Sequence, residues 1–254
     1  PDIHSDALHP EHIFRIAQQG TIGALATHLG LISRYAKQYN EINYIVKLNA
    51  KTNIISTEQH DPVSRTLWNI KQVITIKKNY SLNICGIGFT LYLGSEFESL
   101  MLEQAAQNIY EAHQHGLITV LWIYPRGKTI TNEQDNNLLA GAAGIANSLG
   151  ADFVKIKPPH GTKILSSAQL LKIIIATAGN TKVICAGGET KEPKIFLEKL
   201  YDQIHISGTA GCATGRNIFQ HSLPQAIAMT KAISSIVDND IDIKTILKDF
   251  EEKV

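Results

Sequence analysis

Apolar positions recur along this chain with two alternating periods, one helical and one strand-like, separated by short polar or glycine-containing punctuation. A helix over His12–Gln19 leads to a strand at Ile22–Gly30, and a helix near Ile32–Tyr39 precedes a strand at Tyr44–Lys51. A longer helix, about Pro62–Lys78, leads to the strand Leu82–Leu93. Then come a helix at Glu98–His115, a strand at Ile118–Tyr124, a helix at Glu133–Leu149 and a strand at Ala151–Lys157. The remaining units are Ser167–Thr177 (helix), Lys182–Ala186 (strand), Pro193–Leu200 (helix) and a strand near Gly211–Thr214. Pro224–Val237 reads as a helix, and the charged stretch after Asp238 as a further short one.

Repeated strand–helix units predict a parallel sheet, either open and doubly wound or closed as a barrel. A dinucleotide-binding open sheet needs GxGxxG between an early strand and helix, and neither that motif nor a Walker A sequence occurs. The expectation is a single α/β domain over residues 1–254, a (β/α)8 TIM barrel. Seven strands are one short of that barrel, so its first strand is expected upstream of Pro1. The segment Pro1 to Pro10 reads as a polar loop.

Strand parity carries the argument from fold to chemistry. Alternate residues of a barrel strand face the helices and must be apolar, while the others face the interior. In YIVKLNAK the apolar set is Val46, Leu48 and Ala50, which leaves Lys47, Asn49 and Lys51 inside. In ICGIGFTLYL it is Cys85, Ile87, Phe89 and Leu91, which leaves Gly86, Gly88, Thr90 and Tyr92. Leu121 and Ile123 leave Trp122 and Tyr124, with Arg126 at the edge of the same series, and Val154 and Ile156 leave Lys155 and Lys157. A single such lysine would ordinarily lie past the strand end and reach solvent. Four successive strands with polar interior parity point instead to a site, because burying an ammonium costs several kcal/mol or shifts its pKa.

Composition narrows the field. The chain has 254 residues, is 44% hydrophobic and carries a formal net charge of +1, which gives no electrostatic case for nucleic acid. Three cysteines, without CxxC or zinc spacing, predict a reducing, cytoplasmic setting. No stretch approaches the roughly 18 apolar residues of a membrane span, and no signal peptide opens the chain.

Lys155 is the best candidate nucleophile. A lysine reacts only as the free amine, and both burial and a neighbouring cation, here Lys157, favour that form. The amine can attack a ketone to give an iminium ion, an electron sink that weakens the adjacent carbon–carbon bond. Tyr124, on the neighbouring strand at the same parity, can move the proton such a cleavage requires, and Trp122 reads as a wall of the pocket. Gly187 and Gly188 end one strand, while Gly215 and Arg216 follow the next. Barrels often hold phosphate between these two loops, where glycine admits backbone N–H groups and arginine supplies a fork of donors. No HExxH or clustered metal-ligand pattern is visible, and no metal or cofactor is expected. His113 and His115, two apart on a helix, point to different faces. Ser95 lacks the GxSxG context, the run EPKIFLEKLYD reads as a solvated helix face, and His28 as a packed or surface histidine.

The motifs KLNAKT (Lys47–Thr52), TLYLGS (Thr90–Ser95), TVLWIYPRG (Thr119–Gly127), GADFVKIK (Gly150–Lys157), CAGG (Cys185–Gly188) and ATGRNIFQ (Ala213–Gln220) together resemble the archaeal-type, or DhnA-type, class I fructose-bisphosphate aldolases. The resemblance spans nearly the whole chain. It implies a (β/α)8 barrel that reversibly cleaves fructose 1,6-bisphosphate to dihydroxyacetone phosphate and glyceraldehyde 3-phosphate in glycolysis and gluconeogenesis, without metal, and a homo-oligomer is expected. It implies Lys155 as the Schiff-base lysine, Tyr124 as the proton-transfer tyrosine and Trp122 as the pocket tryptophan; Arg126 and Lys157, on the same interior parity, are expected to bind substrate. Gly187, Gly188, Gly215 and Arg216 then form the phosphate loops. The family's first strand carries an aspartate and is followed by a His-containing loop, and nothing here corresponds to them; HPEHIF (His9–Phe14) resembles the helix after that loop. The alternatives are a related Schiff-base aldolase, transaldolase-like enzyme or thiolase acting on another keto-phosphate, a phosphate-binding isomerase barrel, and a non-catalytic relative that keeps the fold as a binding protein. An isomerase would call for carboxylates or histidines at strand ends, where this chain places lysines.

Overall fold

A computed structural model describes residues 4–52, 61–189, 191–238 and 241–252. After a short 3-10 turn at Ser5–Leu8 come α1 (His12–Gln19), β1 (Leu25–His28), α2 (Leu29–Tyr35), β2 (Tyr44–Lys47), β3 (Asn49–Ala50), β4 (Arg65–Thr66), α3 (Ile70–Asn79) and β5 (Ile84–Leu93). Then follow α4 (Glu98–Gln114), β6 (Ile118–Pro125), α5 (Asn136–Ser148), β7 (Phe153–Ile156), α6 (Ser167–Thr177) and β8 (Lys182–Ala186). The last elements are α7 (Pro193–Asp202), β9 (Cys212–Ala213), α8 (Arg216–Phe219), α9 (Leu223–Asp238) and α10 (Ile243–Glu251).

Among these, seven strands form one sheet in the order β1-β2-β5-β6-β7-β8-β9, and every neighbouring pair is parallel. Sequential parallel strands with helices returning over one face make the wall of a (β/α)8 barrel, here with seven strands described. The seven are the predicted ones: β8 has the predicted bounds, β6 runs one residue further to Pro125, and the other five are trimmed at one or both ends. The sheet is open between β1 and β9, but the helical layer closes over that gap. The His12 ring N–H donates to the His221 carbonyl at 3.1 Å, the Thr21 N–H donates to Thr230 Oγ1 at 3.1 Å, and the Leu223 N–H donates to Asp6 at 3.0 Å.

Helix starts and buried faces follow from side chains. Asn69 and Ser166 cap α3 and α6 in reciprocal capping boxes with Gln72 and Gln169. In α4, Met101, Ala105, Asn108, Ile109 and Ala112 face the sheet at helical spacing. Most of the core gathers these helices against β1 to β8, and a second cluster joins α7, α9 and α10.

Three expectations change. The strand predicted over Tyr44–Lys51 leaves the sheet after Lys47, and Asn49–Ala50 pairs antiparallel with Arg65–Thr66. That pairing consumes the start of the helix predicted at Pro62, so α3 begins only after the Asn69 cap. The EPKIFLEKLYD run is more than a solvated face, because Phe196, Leu197 and Leu200 of α7 are buried in the second cluster.

Candidate active site

The register places the interior residues side by side. Lys155 on β7 lies opposite Trp122 on β6, Trp122 opposite Thr90 on β5, and Tyr124 opposite Tyr92. On the other side of the site, Lys47 lies opposite Gly88 on β5 and His28 on β1. The indole of Trp122 stands between two amines: Lys47 Nζ lies 5.0 Å from its centroid and Lys155 Nζ 5.9 Å. The glycine at position 88 makes room for that ring. A Cβ there would come within 1.9 Å of Trp122 Cζ3.

Among the described residues Lys155 has no hydrogen bond and no carboxylate partner. Burial lowers its pKa to about 8; Cys212 opposes the shift and the Arg216 cation adds to it. The cation expected to assist it was Lys157, but the structure pairs Lys157 with Glu133, beyond the end of β7. Glu133 also takes two hydrogen bonds from Arg126. Burial works to raise the Glu133 pKa, but the donors Arg126 and Lys157 outweigh it and the carboxyl is held below its ordinary value. A charged lysine is thus tied down at the rim while Lys155 is left free deeper in.

Tyr124 stacks on Tyr92 with ring centroids 6.3 Å apart, and the Arg126 guanidinium lies 5.8 Å from each of the two rings. Burial, helped by Tyr92 and Glu133, pushes the Tyr124 hydroxyl up to about 12 against the pull of Arg126 and Arg216. It is a phenol at neutral pH.

The loops after β8 and β9 meet as the glycines predict. A Cβ on Gly187 would come within 2.9 Å of Thr214 Cγ2, and Gly188 takes a left-handed φ of +73°. Gly215 precedes the short α8, and Arg216 at its start is exposed, with no ion pair among the described residues. Asn217, 1% exposed, pins the two loops together. Its amide donates to the carbonyls of Gly187 and Glu189 at 3.1 Å each and accepts from the Lys191 N–H at 2.8 Å.

Sequence reasoning singled out neither Asn217, Glu133, Gly88 nor Asn49 for a role, and it placed Lys47 inside without assigning it one. The signal for Lys47 was its interior parity. His28 is half-buried beside the site: its ring N–H donates to the Lys47 carbonyl at 3.1 Å, and burial together with the Lys47 cation lowers its pKa. Ser95 is buried and donates to the Pro62 carbonyl, and His113 pairs with Asp152 outside the site. No group of three or more His, Cys, Asp or Glu side chains able to hold a metal occurs among the described residues.

A parallel β/α barrel with an unpaired interior lysine, a neighbouring phenol and two glycine loops beside an arginine has the make-up of a lysine-dependent barrel aldolase. The chain matches the DeoC/LacD family aldolase model over residues 2–221, and it belongs to that family. It is 48% identical over 246 residues to a Methanocaldococcus jannaschii protein described as fructose-bisphosphate aldolase/6-deoxy-5-ketofructose 1-phosphate synthase, covering 97% of this chain and 78% of the relative. The solved structure of a fructose-bisphosphate aldolase from Slackia heliotrinireducens superposes with a TM-score of 0.95 at 49% identity, covering 99% of this chain and 79% of that one. An archaeal fructose-1,6-bisphosphate aldolase, solved with its catalytic lysine bound to the carbinolamine intermediate of the substrate, superposes at 0.78 with 28% identity, covering 91% of this chain and 85% of that one.

Proposed function

We propose that this protein is a class I fructose-bisphosphate aldolase, with Lys155 forming the Schiff base. The observation that carries the reading is the placement of Lys155 on β7, half-buried, without an anionic partner among the described residues, beside Trp122 and within the field of Arg216. The Lys155 amine adds to the C2 ketone of the open-chain sugar; the carbinolamine loses its oxygen as water and becomes an iminium ion. The C3–C4 bonding pair then moves into the iminium as an enamine, the C4 hydroxyl loses its proton, and glyceraldehyde 3-phosphate departs. Protonation at C3 and hydrolysis return dihydroxyacetone phosphate and the free lysine.

Tyr124 fits the proton step at the C4 oxygen. As a phenol it donates to the aldehyde oxygen during condensation, and in cleavage the phenolate takes that proton back, Arg126 and Arg216 offsetting part of the cost that burial sets on the phenolate. Arg216 with Gly187, Gly188 and Gly215 suits one phosphate. Arg126 and Lys157, both engaged with Glu133, lie past the ends of β6 and β7. The name of the Methanocaldococcus relative favours a second activity on the same imine, addition of the enamine to a different aldehyde. The free thiols of Cys85, Cys185 and Cys212 support a cytoplasmic setting.

Borohydride reduction in the presence of dihydroxyacetone phosphate tests the reading. The reduced adduct is expected on the peptide containing Lys155 and is lost in Lys155→Met, and cleavage of fructose 1,6-bisphosphate survives chelator. An adduct on Lys157, or activity that chelator removes and zinc restores, overturns it.

A further inference from the structure

Lys47 is an interior amine that the reaction above does not use, and its ammonium is held by several hydrogen bonds. Its ammonium donates to Asn49 Oδ1 at 3.1 Å, to the Asn49 carbonyl at 3.3 Å and to the Thr90 hydroxyl. Asn49 is itself locked, 0% exposed, donating to the carbonyls of Ser64 and Thr90 and accepting from the Thr90 N–H. All these partners are neutral, and so is the Trp122 ring on its other flank. Among the described residues, the charged or titratable groups coupled to Lys47 or Lys155 are His28 from β1, on which Lys47 acts, Cys212 from β9, Arg216 from α8 and the two lysines themselves. No carboxylate is among them.

We propose that Lys47 is a positioning residue of this site, whose ammonium, fixed by Asn49 and Thr90 beside Trp122, repels charge on Lys155 and so favours the free amine there. The inference rests on Lys155 being the imine-forming lysine. The two nitrogens are at most 10.9 Å apart, their distances to the indole centroid laid end to end. At that separation and an effective dielectric of about 20, repulsion between unit charges is worth about tenfold in an ionisation equilibrium. The coupling is mutual but confined to low pH: burial and then the Lys155 cation bring Lys47 down to about 7, so its ammonium repels charge on Lys155 below that pH, whereas near pH 8, where Lys155 itself titrates, Lys47 is already largely the free amine and adds nothing.

The test is the pH dependence of borohydride trapping on Lys155 with dihydroxyacetone phosphate, in the wild type and in Lys47→Met, Lys47→Gln and Lys47→Arg. Glutamine keeps hydrogen-bonding capacity without charge, so it serves if the methionine variant fails to fold. Both neutral variants should trap about tenfold more slowly near pH 6 and converge on the wild-type rate at high pH, whereas arginine keeps the wild-type acid limb. A neutral variant slowed equally at every pH, or unchanged, overturns the role of Lys47. Absence of any Lys155 adduct in the wild type would instead sink the aldolase reading beneath it.

Discussion

Replacing Gly88 by alanine should disable the site without touching a reacting group. The new methyl carbon would lie 1.9 Å from Cζ3 and 2.4 Å from Cη2 of Trp122, so the indole must move about 1.5 Å to regain an ordinary 3.4 Å contact. Overpacking of this kind costs about 1–3 kcal/mol, which for a chain of this size lowers Tm by roughly 2–12 °C. The larger effect should be kinetic. A displacement above 1 Å of a wall that fixes the bound ketone costs on the order of 10²-fold in rate, and both lysines lean on that wall. Cleavage of fructose 1,6-bisphosphate, coupled to reduction of the triose products, gives the rate, and calorimetry gives Tm. Trimming the ring in the background of the glycine change, as Gly88→Ala with Trp122→Leu, should recover most of the lost Tm, since the collision is then gone. Wild-type rate and Tm in the single variant would show that the ring has somewhere else to go, and that its place between the amines is not enforced.

Tyr124→Phe should lower kcat by roughly 10²–10⁴ while borohydride still labels Lys155; lost stability with normal turnover would make the tyrosine structural. Arg216→Ala should reduce kcat/KM for the bisphosphate by roughly 10–150-fold, the worth of a charge-assisted hydrogen bond, and change little on an unphosphorylated analogue; equal losses on both would refute phosphate reading. Lys155 also imposes a pH signature on stability. Its folded pKa, about 8, lies below the ordinary lysine value, so the unfolded chain binds more protons and its contribution to stability rises between about pH 8 and 10.5. Lys155→Met should therefore raise Tm at pH 7 and flatten that rise in calorimetric scans; a lower Tm at neutral pH would contradict the burial argument.

Parity made the walls of the site legible. Alternation through Phe89–Tyr92 and Leu121–Tyr124 depends only on which residues tolerate burial against helices, and that is written locally. Which interior cations meet is not local. Lys47 and Lys157 look alike in sequence, yet Lys47 reaches the Trp122 ring and Lys157 is captured by Glu133. The difference lies in sheet register and in a loop 24 residues away. The break after Lys47 was equally hidden, because Leu48 and Ala50 continue the apolar alternation even as the backbone leaves the sheet for Arg65–Thr66. The Asn217 staple escaped for a related reason: its value comes from carbonyls 28 and 30 residues distant in the chain.

The bonds that bridge the gap between β1 and β9 bear on the order in which the molecule is made. His12 and Thr21 each find partners 209 positions later, and Asp6 a partner 217 positions later. Strands within the sheet meet neighbours a few tens of residues away, so they can assemble while the polypeptide is still being synthesised. One side of helix α1 lacks that opportunity: its partners in the α8–α9 region are synthesised 209 positions later. Contacts of such long sequence separation are slow to form, and until they do α1 is held only by local packing, Phe14 resting on Tyr35, Tyr39 and Tyr44. Closure of α1 onto α8 and α9 is therefore expected to be a late step of folding, following assembly of the sheet.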